Sequence, residues 1–122
     1  MIRPRRKPRR GRVIDRRYKG WIASLPCLVC EQDYVIAVEA GIRGVSVMEF
    51  QRGQTEVAHV GARGLGQKCS GRETLPLCAE HHRLGRDSHH RLGRKFFEHH
   101  GLDKAALIRE LNARYEAEVL AA

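Results

Sequence analysis

A chain of 122 residues with a formal net charge of +9 fits one domain with a small core, which a bound metal would help to hold together. Residues 1–10 are basic with no apolar stretch behind them, unlike a secretory leader, and no uninterrupted apolar run approaches the ~20 residues of a bilayer span. The expectation is a cytoplasmic protein with no membrane partner, whose cysteines serve in metal binding rather than in disulfides.

The charge sits at one end. Residues 1–19 hold ten Arg or Lys against one acid, Asp15, while the rest holds thirteen bases and thirteen acids. Such an arm seeks a polyanion, DNA or RNA, and Arg5, Arg6, Arg9 and Arg10 are its candidate phosphate contacts. The predicted division is a disordered basic arm over 1–14 and a single domain over 15–122.

Beyond the arm, Tyr18, Trp21, Ile22 and Leu25 have helical spacing, with Asp15 as N-cap and Pro26 as the stop. Cys27-Leu28-Val29-Cys30 reads as a turn. The β-rich runs 34–38 and 45–50, with Gly41 and Gly44 between them, predict a hairpin. Residues 55–58 and 74–77 read as short strands, the second closed by Pro76, with a glycine-rich loop over 61–71. A helix should begin near Ala79 and be broken at Gly85 and near Gly93, giving two short helices up to His100. Gly101 suits a C-terminal cap and Asp103 the next N-cap. Ile108, Leu111, Tyr115 and Val119 then form one face of a last amphipathic helix, a packing feature.

Two ligand pairs stand out, Cys27-x-x-Cys30 and Cys78-x-x-His81. A two-residue gap lets one turn offer both members of a pair to one ion, and zinc takes four such ligands in a tetrahedron. The reading is a structural zinc held by Cys27, Cys30, Cys78 and His81, with Cys69 left as a free thiol.

The stretches Leu25-Pro-Cys-x-x-Cys30, Glu56-Val-Ala-His-Val60, Leu75-Pro-Leu-Cys-Ala-Glu-His-His82 and Leu92-Gly-Arg-Lys-Phe-Phe97, in this order, resemble the HNH endonucleases. The closest likeness is to the small phage- and prophage-associated ones, including the Ref-like recombination nucleases. The resemblance implies an α+β fold with a ββα-metal core and zinc knuckle, to which the predicted hairpin and flanking helices are added. It implies His59 as general base, His82 as ligand of a catalytic divalent metal and His90 as a further metal ligand or phosphate contact.

The chemistry suits these types. A neutral imidazole can take a proton from water near pH 7, and a divalent ion stabilises charge building on a phosphodiester. Arg63 and Lys68 on the glycine-rich loop are candidate phosphate contacts, whereas His89, His99 and His100 read as polar helix surface. The sequence departs from the family where Ala58 replaces the usual Asp before the base and Glu73 the usual middle Asn; Glu56 and Glu73 are candidate replacement carboxylates. An imidazole-rich site accepts Mn²⁺, Ni²⁺ or Zn²⁺ as well as Mg²⁺. The expected function is DNA phosphodiester hydrolysis, with a second copy or a recombination or phage protein as partner. The alternative is a non-catalytic zinc-stapled module that binds DNA or RNA through a degraded site.

Overall fold

The computed structural model describes residues 12–61 and 72–121. The proposed phosphate contacts Arg5, Arg6, Arg9, Arg10, Arg63 and Lys68, and the spare thiol Cys69, lie outside them. The architecture is α+β: helices around one two-stranded antiparallel sheet.

Helix α1 (Arg12–Ala23) begins three residues before the expected boundary, so residues 12–14 belong to it and Asp15 lies inside it rather than capping it. Tyr18 and Ile22, one turn apart, are fully buried against the sheet, and Trp21 packs beside them. A bend carries the chain into α2 (Leu28–Glu39), for which Cys27 is the N-cap. The Cys27–Cys30 segment is thus a helix entry and not a free turn: Glu31 donates its N–H to the Cys27 carbonyl at 2.8 Å. Although residues 16–39 are together apolar and long enough for a membrane span, they form two helices separated by this bend.

The expected hairpin is absent. Residues 34–38 continue α2, and residues 47–50 form the short helix α3 (Val47–Phe50). Ser46 and Glu49 form a reciprocal capping box that starts α3, and Tyr34 packs on Phe50 at 5.7 Å and donates its hydroxyl to the Val45 carbonyl at 2.7 Å. These local bonds and contacts outweigh the β preference of Val35, Ile36 and Val38.

Strands β1 (Thr55–His59) and β2 (Thr74–Cys78) pair with Thr55 opposite Cys78 and His59 opposite Thr74. Pro76 does not close β2 but stands inside it, opposite Val57. A two-stranded sheet leaves one edge of each strand unpaired, so the missing N–H costs no ladder bond there. All five β2 residues are buried, since helices cover the sheet. From β2 the chain enters a π turn (Glu80–Leu84), then α4 (His89–Leu92) and α5 (Lys95–His100).

Gly101, at φ 66°, takes the left-handed cap position, and Asp103 accepts the Ala106 N–H at 3.1 Å to start α6 (Lys104–Tyr115). Leu111 and Tyr115 are buried, with Ile108 and Val119 packed against the core, as their spacing predicts. Tyr115 meets Tyr18 edge-on at 5.0 Å, joining α6 to α1.

Candidate functional site

The four spaced ligands converge. Cys27 and Cys30 come from the entry of α2, Cys78 from the end of β2 and His81 from the π turn, with their ligand atoms all within 4.8 Å of one another. The Cys30 and Cys78 sulfurs are 3.7 Å apart, and His81 Nδ1 lies 3.2 Å from Cys78, 3.5 Å from Cys30 and 3.6 Å from Cys27. A zinc tetrahedron with ordinary Zn–S and Zn–N bonds has edges of about 3.8 Å between sulfurs and about 3.5 Å from sulfur to nitrogen. The donor set therefore fits: this buried Cys₃His group can hold a structural metal such as zinc.

The electrostatics agree. Hydrogen bonds from Cys27 and His81 hold Cys78 as a thiolate, its pKa pushed down to about 3 against the pull of burial. The Cys78 hydrogen bond and burial push the Cys27 thiol up, while burial and the Cys78 charge raise Cys30 to about 11. His81 is drawn up by its hydrogen bond to Cys78. Three thiols cannot share one buried pocket as thiolates without a cation, which is what a divalent ion supplies.

A residue the sequence did not single out steadies this Cys₃His group. Gln51 is buried; its Oε1 accepts the Cys27 N–H at 2.6 Å, and its Nε2 donates to Gly53 O at 3.0 Å and Thr55 Oγ1 at 2.9 Å. Thr55 in turn donates to Leu25 O at 2.6 Å, so the ligand bend is tied to β1 on both sides of Pro26.

On the other side of the π turn stands His82. Its Nδ1 is 2.9 Å from Glu56 Oε1, across from β1. Glu56 also receives Arg83 through both oxygens, from Nε at 3.0 and 3.3 Å and from the terminal nitrogen at 3.1 Å. The Arg83 bond, followed by that of His82, holds the Glu56 carboxyl below its usual range against burial. The His90 ring lies edge-on to His82 at 4.6 Å.

His59 is exposed at the end of β1 and lines a different depression, a cavity of about 420 Å³ shared with Val60, Gly61, His89, Gly93, Arg94, Phe97 and Lys104. Among the described residues, the charged side chains in this lining, Arg94 and Lys104, are both basic. Lys104 is tied in place by donating to Val60 O at 3.1 Å. His89, expected on a polar surface, is half-buried among Phe96 and Phe97, and burial together with the charges of His90, His82 and Lys104 lowers its pKa. His59 and His89 line the same depression, His89 lies 6.3 Å from His90, and His90 in turn packs on His82.

Glu73 is half-buried just before β2, where its carbonyl accepts the Val60 N–H at 3.1 Å. Among the described residues, groupings of three or more close ligand atoms comprise the Cys₃His set and Asp87 with His99 and His100; His59, His82, His90, Glu56 and Glu73 are in neither. The second grouping reads as packing: His100, also expected at the surface, is nearly buried, packs at a tilt against Phe96 at 4.5 Å and spends Nε2 on the Asp87 carbonyl at 2.9 Å. Comparison with protein-family models, with curated proteins and with solved structures returns no match, which leaves the functional reading to the residues themselves.

Proposed function

We propose that this chain is a metal-dependent HNH endonuclease that hydrolyses DNA phosphodiester bonds, with zinc as its structural metal. One observation carries the reading: His59, at the end of β1, lines a basic depression together with His89, whose neighbour His90 packs on His82 of the turn after β2. The order of two antiparallel strands followed by a helical turn, beside a Cys₃His set, supports it. In this reading Lys104 and Arg94 hold the phosphate by charge, and His59 takes the proton of the attacking water.

His82 and His90 are the protein donors for a catalytic divalent ion, which would stabilise the charge growing on the phosphate. Two imidazoles leave further positions to water and substrate oxygens, and nitrogen donors favour Mn²⁺, Ni²⁺ or Zn²⁺ over Mg²⁺. The Glu56 carboxylate is engaged by Arg83, and buried Ala58 stands where the family carries Asp. Those two features favour the second reading, a non-catalytic zinc module bound to DNA or RNA.

A plasmid-nicking assay separates the two. Wild type should convert supercoiled DNA with Mn²⁺ or Ni²⁺, and His59→Ala should lose at least ~100-fold in rate while keeping zinc and DNA affinity. A wild type inactive with every divalent ion would leave the binding module. An active wild type with an equally active His59→Ala would remove His59 as the base. The reading carries with it a cytoplasmic setting and, for a double-strand break, a second copy or a recombination or phage protein as partner.

A further inference from the structure

Glu56 is a candidate to replace the missing Asp as a metal ligand, yet its surroundings assign it another task. Both of its oxygens face Arg83, at 3.0 to 3.3 Å. To coordinate an ion, Glu56 would have to leave this fork, and the ion would then sit beside the guanidinium charge. The same carboxylate meets His82 at Nδ1, 2.9 Å away. A carboxylate engaged by arginine only accepts hydrogen bonds, so the proton in this contact belongs to His82. With Nδ1 protonated, the lone pair of a neutral His82 is on Nε2. The side chain is 15% exposed and the His90 ring stands against it, so rotation to another arrangement is restricted.

We propose that Glu56 is the positioning residue of His82: it holds the imidazole in its Nδ1–H tautomer so that Nε2 faces the divalent ion, while Arg83 keeps the carboxylate out of the ion's ligand shell. This rests on the nuclease reading for the ion itself, though not for the tautomer. The arrangement is the carboxylate–histidine support that metal-binding imidazoles commonly need for orientation and basicity. It joins β1 to the turn after β2 by a side-chain bridge, so the position of His82 depends on the strand that carries His59. It also leaves the site without a free protein carboxylate at Glu56, which would favour ions that accept nitrogen.

The test reads the tautomer directly, by long-range proton–nitrogen NMR of the imidazoles at pH 8. It uses the full chain with its structural metal and no other ion added. His82 should carry its proton on Nδ1, with the signal assigned by its loss in His82→Gln. Glu56→Ala should shift it to the Nε2–H form that a free imidazole favours, whereas Glu56→Gln should keep Nδ1–H, because the amide oxygen still accepts. Mn²⁺ affinity, by titration, should fall about 10–100-fold in Glu56→Ala and less in Glu56→Gln. Arg83→Gln should retain the tautomer, which keeps the test open if Glu56→Ala does not fold. A wild-type His82 protonated on Nε2, or a tautomer unmoved by Glu56→Ala, overturns the assignment. A wild type that shows the expected tautomer and Mn²⁺ response yet cuts no DNA would sink the nuclease reading alone.

Discussion

His81 and His82 are neighbours with separate partners, and the difference comes from which way the turn points each ring. His81 faces three buried sulfurs, and His82 faces Glu56 on β1. The Cys-x-x-Cys and Cys-x-x-His spacings made the first set legible in the sequence, because such spacing has few other uses in a reducing compartment. Gln51 was not legible. No spacing marks a glutamine that will fold back on a cysteine N–H, and its three hydrogen bonds exist only once α3 and β1 are placed. Glu56 was legible as a carboxylate, but its engagement by Arg83 depends on strand register.

Structural zinc contributes about 10–16 kcal/mol in small zinc-folded peptides, as much as the entire stability of a typical domain. Cys78→Ser removes one of the four ligands and opens the tetrahedron, so the variant should purify without zinc and show no cooperative unfolding transition. Cys69→Ser should keep one zinc per chain. Elemental analysis that finds no metal in wild type prepared without chelators would refute the zinc centre.

At the scale of elements, the strands and the last helix followed the sequence closely while the segment between Cys30 and Thr55 did not. Tyr34, Val35, Ile36 and Val38 are good strand formers, and in α2 apolar residues are spread around the helix among Glu31, Gln32, Asp33 and Glu39, leaving Val35 and Ile36 exposed. Periodicity therefore offered no face to read. A usable signal was present in Ser46-x-x-Glu49, the spacing of a capping box, which announces a helix start where a strand was expected. The π turn after β2 was legible as a helix but not as a wide one. Its closure brings the Gly85 N–H to the Glu80 carbonyl at 2.8 Å.

Gly85 is required there for space rather than for backbone angle, since its φ is −78°. A Cβ at this position would meet the Glu80 carbonyl oxygen at 2.7 Å, and a backbone atom cannot swing aside as a side chain can. Gly85→Ala should therefore destabilise the fold by about 1–3 kcal/mol, the usual range for overpacking. The turn carries both His81 and His82, so the change should also weaken metal retention. Denaturant unfolding of the zinc-loaded variant with wild-type stability would show that the turn relaxes without cost.

For the whole molecule, charge is the property the sequence states most clearly. The excess of nine positive charges belongs to residues 1–19, while the remainder is balanced. The balanced part nevertheless gathers Arg94 and Lys104 around the depression at His59, so the described residues supply a local basic patch of their own. Two basic regions make separable contributions if DNA is the partner. The arm, outside the described residues, should act on affinity through phosphate neutralisation, and the depression should act on turnover.

Deleting residues 1–11, which stops short of α1, removes six bases. Every phosphate that the arm no longer neutralises should lower the slope of log affinity against log salt by about 0.9, so the slope should flatten by up to about 5 if all six bases engage. Affinity at low salt should fall steeply, and the deficit should shrink as salt rises, because the released counterions drive the binding. Zinc content and the rate at saturating DNA should be unchanged, since the deletion spares the four residues of the Cys₃His set and the described lining of the His59 depression. Binding measured from low to high salt gives the slope, and single-turnover cleavage gives the rate. An unaltered slope would mean that the arm does not touch the backbone, and a collapsed rate at saturation would mean that it reaches into the site.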